Sequence, residues 1–187
     1  MSSSSQQSGP VDHDAQQSRR AFSQFIGFRL GDEDYAVAIT KIQEIILMKP
    51  ITRLPQAPGS IEGLINLRGS VIPVVNLRKR FGLPARKFDD ETRTVVVNTH
   101  EKTVGCIVDE VTQVMRITAD LIQPVPVSVS ALSHQYLAGI ARLDERLLII
   151  LDIDKLFDPS ELGLGPLPRA TADQTPGPTP PARESVA

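Results

Sequence analysis

Residues 54–83 read LPQAPGSIEGLINLRGSVIPVVNLRKRFGL, and this stretch decides the fold of the chain. Two runs of alternating apolar residues flank the tripeptide at positions 68–70. Its central residue, Gly69, can take the positive φ that a tight hairpin turn needs. The stretch therefore predicts a β-hairpin.

A helical turn is predicted directly after this hairpin. Asn76 can cap a short helix over residues 77–81, because its side chain can accept a hydrogen bond from the first helical N–H groups. Gly82 then suits the left-handed residue that commonly ends a helix. The predicted unit is a hairpin followed by one turn of helix.

The chain contains this unit twice. Residues 63–81 align without a gap with residues 139–157, and apolar positions face apolar positions along the alignment. Residues 25–45 align in the same way with residues 94–114. A repeat this long is not typical of a solenoid and indicates two successive β modules of one design. A chance match between two alternating hairpins is the alternative.

The spacing of the strand signals predicts an all-β fold. Five short strands separated by close turns indicate a small barrel, and closing each sheet removes its exposed edges. We place the first module at about residues 22–85 and the second at about 92–158, joined by a charged connector at 86–91. The interpretation is two five-stranded β-barrel modules packed together, with short helical turns.

Both ends of the chain differ from this pattern. Residues 1–21 are polar and of low complexity, and residues 159–187 are rich in proline. Such segments contain too few apolar residues to offset the entropy lost on ordering, so we predict disordered tails. The proline-rich tail could serve as a polyproline ligand, but no repeated PxxP register surrounds a basic anchor.

The composition excludes several classes of function. The chain has 187 residues, of which 41% are hydrophobic. Its formal net charge of −2 argues against non-specific binding to nucleic acid or anionic lipid. With one cysteine, it can form neither an internal disulfide nor a cysteine-based zinc site. No apolar run approaches the ~20 residues that cross a bilayer. We expect a cytoplasmic protein without direct membrane insertion.

Residue types that carry catalysis are present without the arrangement that catalysis needs. Cys106 alternates with apolar neighbours and is predicted to be a small core residue. Asp152 and Asp154 could bind a cation, but capping of the following helical turn is the better interpretation. None of the histidines is predicted to be held by a second group, as a base would be; they are His13, His100 and His134. We predict neither a catalytic site nor a metal or other cofactor.

The basic run at residues 78–80 could contact phosphate, but it lies on a short helix with no interleaved aromatic residues. A solvated helix face is the better interpretation. By exclusion, the sequence indicates a binding module.

The order of motifs resembles the CheW family of chemotaxis coupling proteins. The carrying motifs are FxLGDEDYAVxI, KIQEI, LPxAPxxIxGLINLRGxVIPVxNLRKRFG, VGCIVDxV and YLAGIARLDxRLLIILDI. The resemblance extends from Phe22 to about Phe157. Asn76 departs from it where aspartate is common, and the proline-rich tail departs as well.

The resemblance implies two SH3-like five-stranded barrels and a non-enzymatic scaffold. Its implied partners are the regulatory domain of the histidine kinase CheA and the cytoplasmic tips of methyl-accepting chemoreceptors. The implied location is the receptor array on the inner face of the membrane. An adaptor of a non-flagellar system, such as pilus motility, is an alternative, and a small nucleic-acid-binding barrel is a weaker one.

The resemblance also implies site residues. Positions matching those associated with kinase and receptor coupling are Ile42, Glu44, Ile45 and Arg68. Positions matching the receptor-facing side are Val104, Gly105, Val111 and Val114. The aliphatic members could equally be barrel core, whereas a charged side chain is harder to place there.

Two further expectations concern solvent exposure. Arg68 aligns with Asp144, so the hairpin tip tolerates either charge, and we expect its side chain to reach solvent and bind a partner carboxylate. Reversing its charge should then change stability by no more than ~0.5 kcal/mol. Residues 45–48 are apolar on both strand faces, so one face should meet the other module or a partner.

Overall fold

A computed structural model describes residues 22–100, 102–126, 136–143 and 146–157. The predicted tails at 1–21 and 159–187 lie outside the described residues, as do Asp144 and residues 127–135.

The described residues form eleven strands and two four-residue helices. The strands are β1 (Phe22–Leu30), β2 (Glu33–Ala38), β3 (Ile42–Leu47), β4 (Ile61–Leu67), β5 (Ser70–Asn76), β6 (Arg93–Asn98), β7 (Thr103–Val108), β8 (Glu110–Thr118), β9 (Ile122–Gln123), β10 (Leu137–Leu143) and β11 (Arg146–Leu151). The helices are α1 (Leu77–Arg80) and α2 (Ile153–Leu156), and 3₁₀ turns occupy Ile39–Lys41 and Ala119–Leu121.

The predicted repeat is confirmed in the local structure. The units β4-β5-α1 and β10-β11-α2 have equivalent bounds, and both hairpins shift register just before a glycine, Gly63 or Gly139. The predicted cap is also present, because the side chain of Asn76 accepts a hydrogen bond from the Lys79 N–H at 3.3 Å. Gly82 has φ 69°, as a left-handed residue after the helix requires.

The strands belong to two sheets, which confirms the predicted all-β class with two β modules. Sheet A has the order β8-β1-β2-β11-β10-β9, and sheet B has the order β3-β6-β7-β5-β4. Sheet A has six strands rather than the predicted five, because the two-residue β9 joins its edge.

The predicted assignment of strands to modules is wrong. Neither residues 22–85 nor residues 92–158 form a sheet by themselves, because the two halves exchange their first hairpins. The β1-β2 hairpin pairs with β8 and β11, and the β6-β7 hairpin pairs with β3 and β5. The exchange creates parallel β2-β11 and β5-β7 pairs. The connector at 86–91 therefore joins two segments of sheet B.

The hydrophobic core consists of three clusters. One cluster lies between the sheets and takes residues from both, including Phe28 and Tyr35 of sheet A with Val75 and Val104 of sheet B. The other two clusters each belong to one sheet. Central strands are consequently buried on both faces, which accounts for continuous apolar runs such as Val95, Val96 and Val97.

The same device closes each sheet. In sheet B, the chain after β3 returns to β4, where the Thr52 and Leu64 backbones exchange hydrogen bonds of 2.8 and 2.9 Å. In sheet A, the chain after β8 returns as β9 and pairs with β10. The absence of a side chain at Gly63 makes the closure of sheet B possible, because a Cβ there would lie 2.1 Å from the Thr52 carbonyl oxygen.

Candidate functional site

The turn between β4 and β5 has two residues, Arg68 and Gly69, with φ values of 52° and 89°. Positive φ at both positions matches the right-handed twist of the flanking strands. The Asn66 side chain supports the turn by accepting a hydrogen bond of 2.8 Å from the Gly69 N–H. The prediction of positive φ at Gly69 is confirmed, whereas the positive φ of Arg68 was not foreseen.

An ion pair joins this turn to the opposite edge of sheet B. Arg68 Nη2 lies 2.9 Å from Glu44 Oε2, and Glu44 belongs to β3. The Arg68 side chain is 78% exposed, as predicted, whereas that of Glu44 is 18% exposed. Arg68 thus pairs with a carboxylate within the chain, and its contact with a carboxylate of a binding partner stays a prediction. Since one Nη2 contact uses only part of the guanidinium, further N–H donors of Arg68 face solvent.

The strand that carries Glu44 also exposes apolar side chains, on the face opposite to Glu44. Ile46 and Met48 pack against the sheet B cluster, while Ile45 and Leu47 are 38% and 67% exposed. The second apolar face of β3 is thus open rather than covered by the other sheet. We call Glu44, Ile45, Leu47 and Arg68 together the β3 surface; Ile45 and Leu47 lie on one face of this edge strand and Glu44 on the other. Ile42 is half-buried against the core between the sheets and stands apart from it.

The positions matched to the receptor-facing side divide into two groups. Val104 is 1% exposed in the core between the sheets, and a Cβ on Gly105 would lie 2.9 Å from Thr94 Cγ2. Both positions are buried and contribute to packing, and their match to the receptor-facing side stays a prediction. Val114 is 57% exposed on β8, and Val111 is half-buried near it on the same strand. We call Val111 and Val114 the β8 surface.

The internal repeat relates the two surfaces. Val114 of β8 aligns with Ile45 of β3, so the repeat leaves the same position exposed and apolar in both copies. A second such pair, Val71 and Leu147, lies on β5 and β11 and was missed in the sequence. The apolar run at residues 45–48 was the sequence signal that a side chain such as Leu47 would be exposed. Exposure at Val71 could not be read from alternation, because residues 72–75, which follow it on β5, are apolar on both faces.

The candidate catalytic residues have structural environments. Cys106 is buried, and burial raises the pKa of its thiol, so it is a core residue as predicted. Asp152 accepts hydrogen bonds from the Asp154 and Lys155 N–H groups and caps α2. Asp154 binds Lys41 Nζ at 2.6 Å. Among the described residues, no three His, Cys, Asp or Glu side chains gather as they would around a metal ion.

Paired β modules with two exposed apolar strand faces, one of them on the strand that also carries the Glu44–Arg68 ion pair, define a protein-binding module. Similarity to known proteins identifies the family of this module. The CheW-like domain family matches residues 24–161. A Chemotaxis protein CheW of Klebsiella aerogenes is 38% identical over 141 residues, covering 75% of this chain and 85% of the relative. One from Helicobacter pylori is 40% identical over 136 residues, covering 72% and 81%.

A solved structure agrees with these relatives. The scaffolding protein TtCheW from Thermoanaerobacter tengcongensis superposes with a TM-score of 0.69 at 35% identity, covering 74% of this chain and 94% of that one. The chain belongs to the CheW-like domain family, whose members are non-catalytic scaffold proteins of chemotaxis. No helix in the part of the chain that the structure describes is long and apolar enough to span a membrane.

Proposed function

We propose that this protein couples the cytoplasmic tips of chemoreceptors to the regulatory domain of the histidine kinase CheA. The β3 surface binds the kinase, and the β8 surface binds the receptor. The scaffold works at the receptor array on the cytoplasmic face of the membrane. Membership of the CheW-like family supports the adaptor role.

The observation that carries the proposal is the placement of two exposed apolar faces on different sheets. Ile45 and Leu47 are at the edge of sheet B, and Val114 is on the edge strand of sheet A. An adaptor must hold two partners at once, and surfaces on separate sheets allow both to be occupied together. Exposed apolar side chains on an edge strand that also carries a charged pair are typical of a protein-binding surface.

The chemistry of the β3 surface suits an interface of moderate size. Ile45 and Leu47 supply apolar area that a partner can remove from water. Arg68 supplies free donors at the rim, while Glu44 holds the guanidinium in one orientation through the 2.9 Å contact. A held arginine loses less conformational freedom on binding than a free one. A carboxylate on the kinase is the complementary group.

The test measures both binary affinities with purified kinase regulatory domain and a receptor cytoplasmic fragment. Ile45→Glu should weaken kinase binding at least about tenfold and leave receptor binding unchanged, because it puts a charge into an apolar contact. Val114→Glu should do the reverse. Phe88→Glu is the matched control, since Phe88 is 46% exposed on the connector, outside both surfaces. Normal kinase binding by Ile45→Glu would reject this assignment.

A further inference from the structure

The chain crosses between the two sheets at two points among the described residues. The first crossing, from β2 of sheet A to β3 of sheet B, passes through the 3₁₀ turn that ends at Lys41. The second, from β7 of sheet B to β8 of sheet A, passes through Asp109. Each crossing leads directly into a strand that carries an exposed apolar surface.

A cluster of polar contacts surrounds the second crossing, which we call the Asp109 cluster. Asp109 Oδ2 accepts a hydrogen bond of 2.7 Å from the N–H of Gly31, in the β1-β2 turn of sheet A. The same oxygen pairs with the guanidinium of Arg78, on α1 after β5 of sheet B. The Asp109 and Arg78 side chains are 8% and 14% exposed. Three elements from both sheets therefore meet at one carboxylate.

The first crossing has a matching cluster, the Asp154 cluster. Asp154 lies on α2, after β11 of sheet A, and binds Nζ of Lys41 at 2.6 Å. It also accepts a hydrogen bond of 3.2 Å from the His100 N–H, in the β6-β7 turn of sheet B, and lies 3.2 Å from His100 Nε2. Burial by itself would raise the pKa of Asp154, but the hydrogen bond and charge of Lys41, with His100, lower it.

The turn and helix residues of the two clusters are related by the internal repeat, whereas the crossing residues are one position apart, since Lys41 aligns with Glu110. Gly31 aligns with His100, and each donates its backbone N–H to the carboxylate. Arg78 aligns with Asp154, so the helix supplies the cation in one cluster and the anion in the other. In both halves an ion pair therefore joins the crossing to the helix, and the turn N–H bonds the carboxylate of that pair, whether it lies at the crossing or on the helix.

We propose that the Asp109 and Asp154 clusters set the angle between the two sheets and so position the β3 and β8 surfaces for simultaneous binding. Lys41 and Asp154 are positioning residues, because they act through the strands that follow the crossings and touch no partner. The functional half of this inference rests on the proposed adaptor function. The structural half does not, because the angle between the sheets can be measured without partners.

The first experiment measures a distance between the sheets. Spin labels on Ser70→Cys of sheet B and Gln113→Cys of sheet A report it by pulsed electron resonance, since both positions are exposed. The buried Cys106 stays unlabelled. Lys41→Met should broaden or shift the distance distribution, and Asp154→Asn should do the same. The double variant Lys41→Asp with Asp154→Lys places the anion at the crossing and the cation on the helix, as in the Asp109 cluster. It should restore the wild-type distance distribution.

The matched control breaks an ion pair within one sheet. Lys79 Nζ lies 2.8 Å from Glu62 Oε1, and both residues belong to sheet B or the helix that follows it. Lys79→Met should leave the distance distribution unchanged. Unchanged distributions in Lys41→Met and Asp154→Asn, with cooperative melts retained, would overturn the inference.

The second experiment separates positioning from simple stability. Lys41→Met should keep each binary affinity within about twofold of the wild type, because it alters neither surface. Assembly of the ternary kinase–receptor complex should fall at least about fivefold, and the charge-exchanged double variant should recover it. Equal loss of both binary affinities would show a structural role only and reject the proposal. Failure of the wild type to bind either partner would reject the proposed function and leave the distance measurement to decide the sheet angle.

Discussion

Reversing the charge of Arg68 tests how the β3 surface works. Arg68→Glu removes the 2.9 Å contact with Glu44 and places two carboxylates near each other. An exposed ion pair contributes roughly 0.2–1 kcal/mol. Repulsion between unit charges ~4 Å apart in water adds at most ~1 kcal/mol, and the exposed side chain can swing away. We therefore expect a loss of about 1 kcal/mol in unfolding free energy, which is larger than the sequence alone predicted because Glu44 lies beside the turn.

The effect on binding should be larger than the effect on stability. Reversing a charge that contacts a partner carboxylate weakens binding by ~2 kcal/mol or more, which corresponds to about thirtyfold in the dissociation constant. Denaturant melts measure the first quantity, and titration with the kinase regulatory domain measures the second. Position 68 has a φ of 52°, and arginine and glutamate carry the same backbone strain there. This strain therefore cancels when the variant is compared with the wild type.

A charge exchange decides between two roles of the pair. The double variant Glu44→Lys with Arg68→Glu rebuilds the ion pair in reverse and should recover the stability to within ~0.5 kcal/mol. It should still bind the kinase weakly if Arg68 contacts the kinase itself. Recovery of kinase binding would show that the pair serves only the turn. Normal binding by the single variant would remove Arg68 from the site.

The remaining predictions concern the fold. Gly63→Ala should destabilise the protein by at least about 3 kcal/mol in denaturant melts, because its Cβ would overlap the Thr52 carbonyl and its φ is 147°, whereas Gly59→Ala, with open space around it, should stabilise by about 0.5 kcal/mol. Fragments cut at Lys87 should each lack a cooperative thermal transition and regain one when mixed, since each sheet needs strands from both; a cooperative melt of either fragment alone would contradict the observed strand exchange. Asp154→Asn should be less stable than the wild type above about pH 5, and the difference should shrink progressively as the pH falls from about 4 through the lowered folded-state pKa, because the lowered pKa stabilises only while the carboxylate is ionised; urea melts at several pH values measure it.

Much of the candidate site was visible in the sequence, but its geometry was not. Arg68 was expected at the surface and is exposed, whereas Ile45 was equally compatible with the barrel core and is 38% exposed. Val104 shared the same family match yet is buried, because burial of a strand residue depends on which element covers its face. The contact between Glu44 and Arg68 joins residues that lie on strands at opposite edges of a sheet, so only closure of that sheet brings them together.

The sequence by itself determined the local structure, the repeat and the family. Alternation, turn glycines and caps act within a few residues, so the hairpin, the turn at Gly69 and the helix after Asn76 could be predicted. Only the tertiary structure decided which hairpin joins which sheet. An apolar alternating strand fits many neighbours equally well, and its choice depends on burial on both faces and on loop closure across the whole chain. The exchange of the β1-β2 and β6-β7 hairpins, and the two ion-pair clusters at the resulting crossings, follow from that long-range choice.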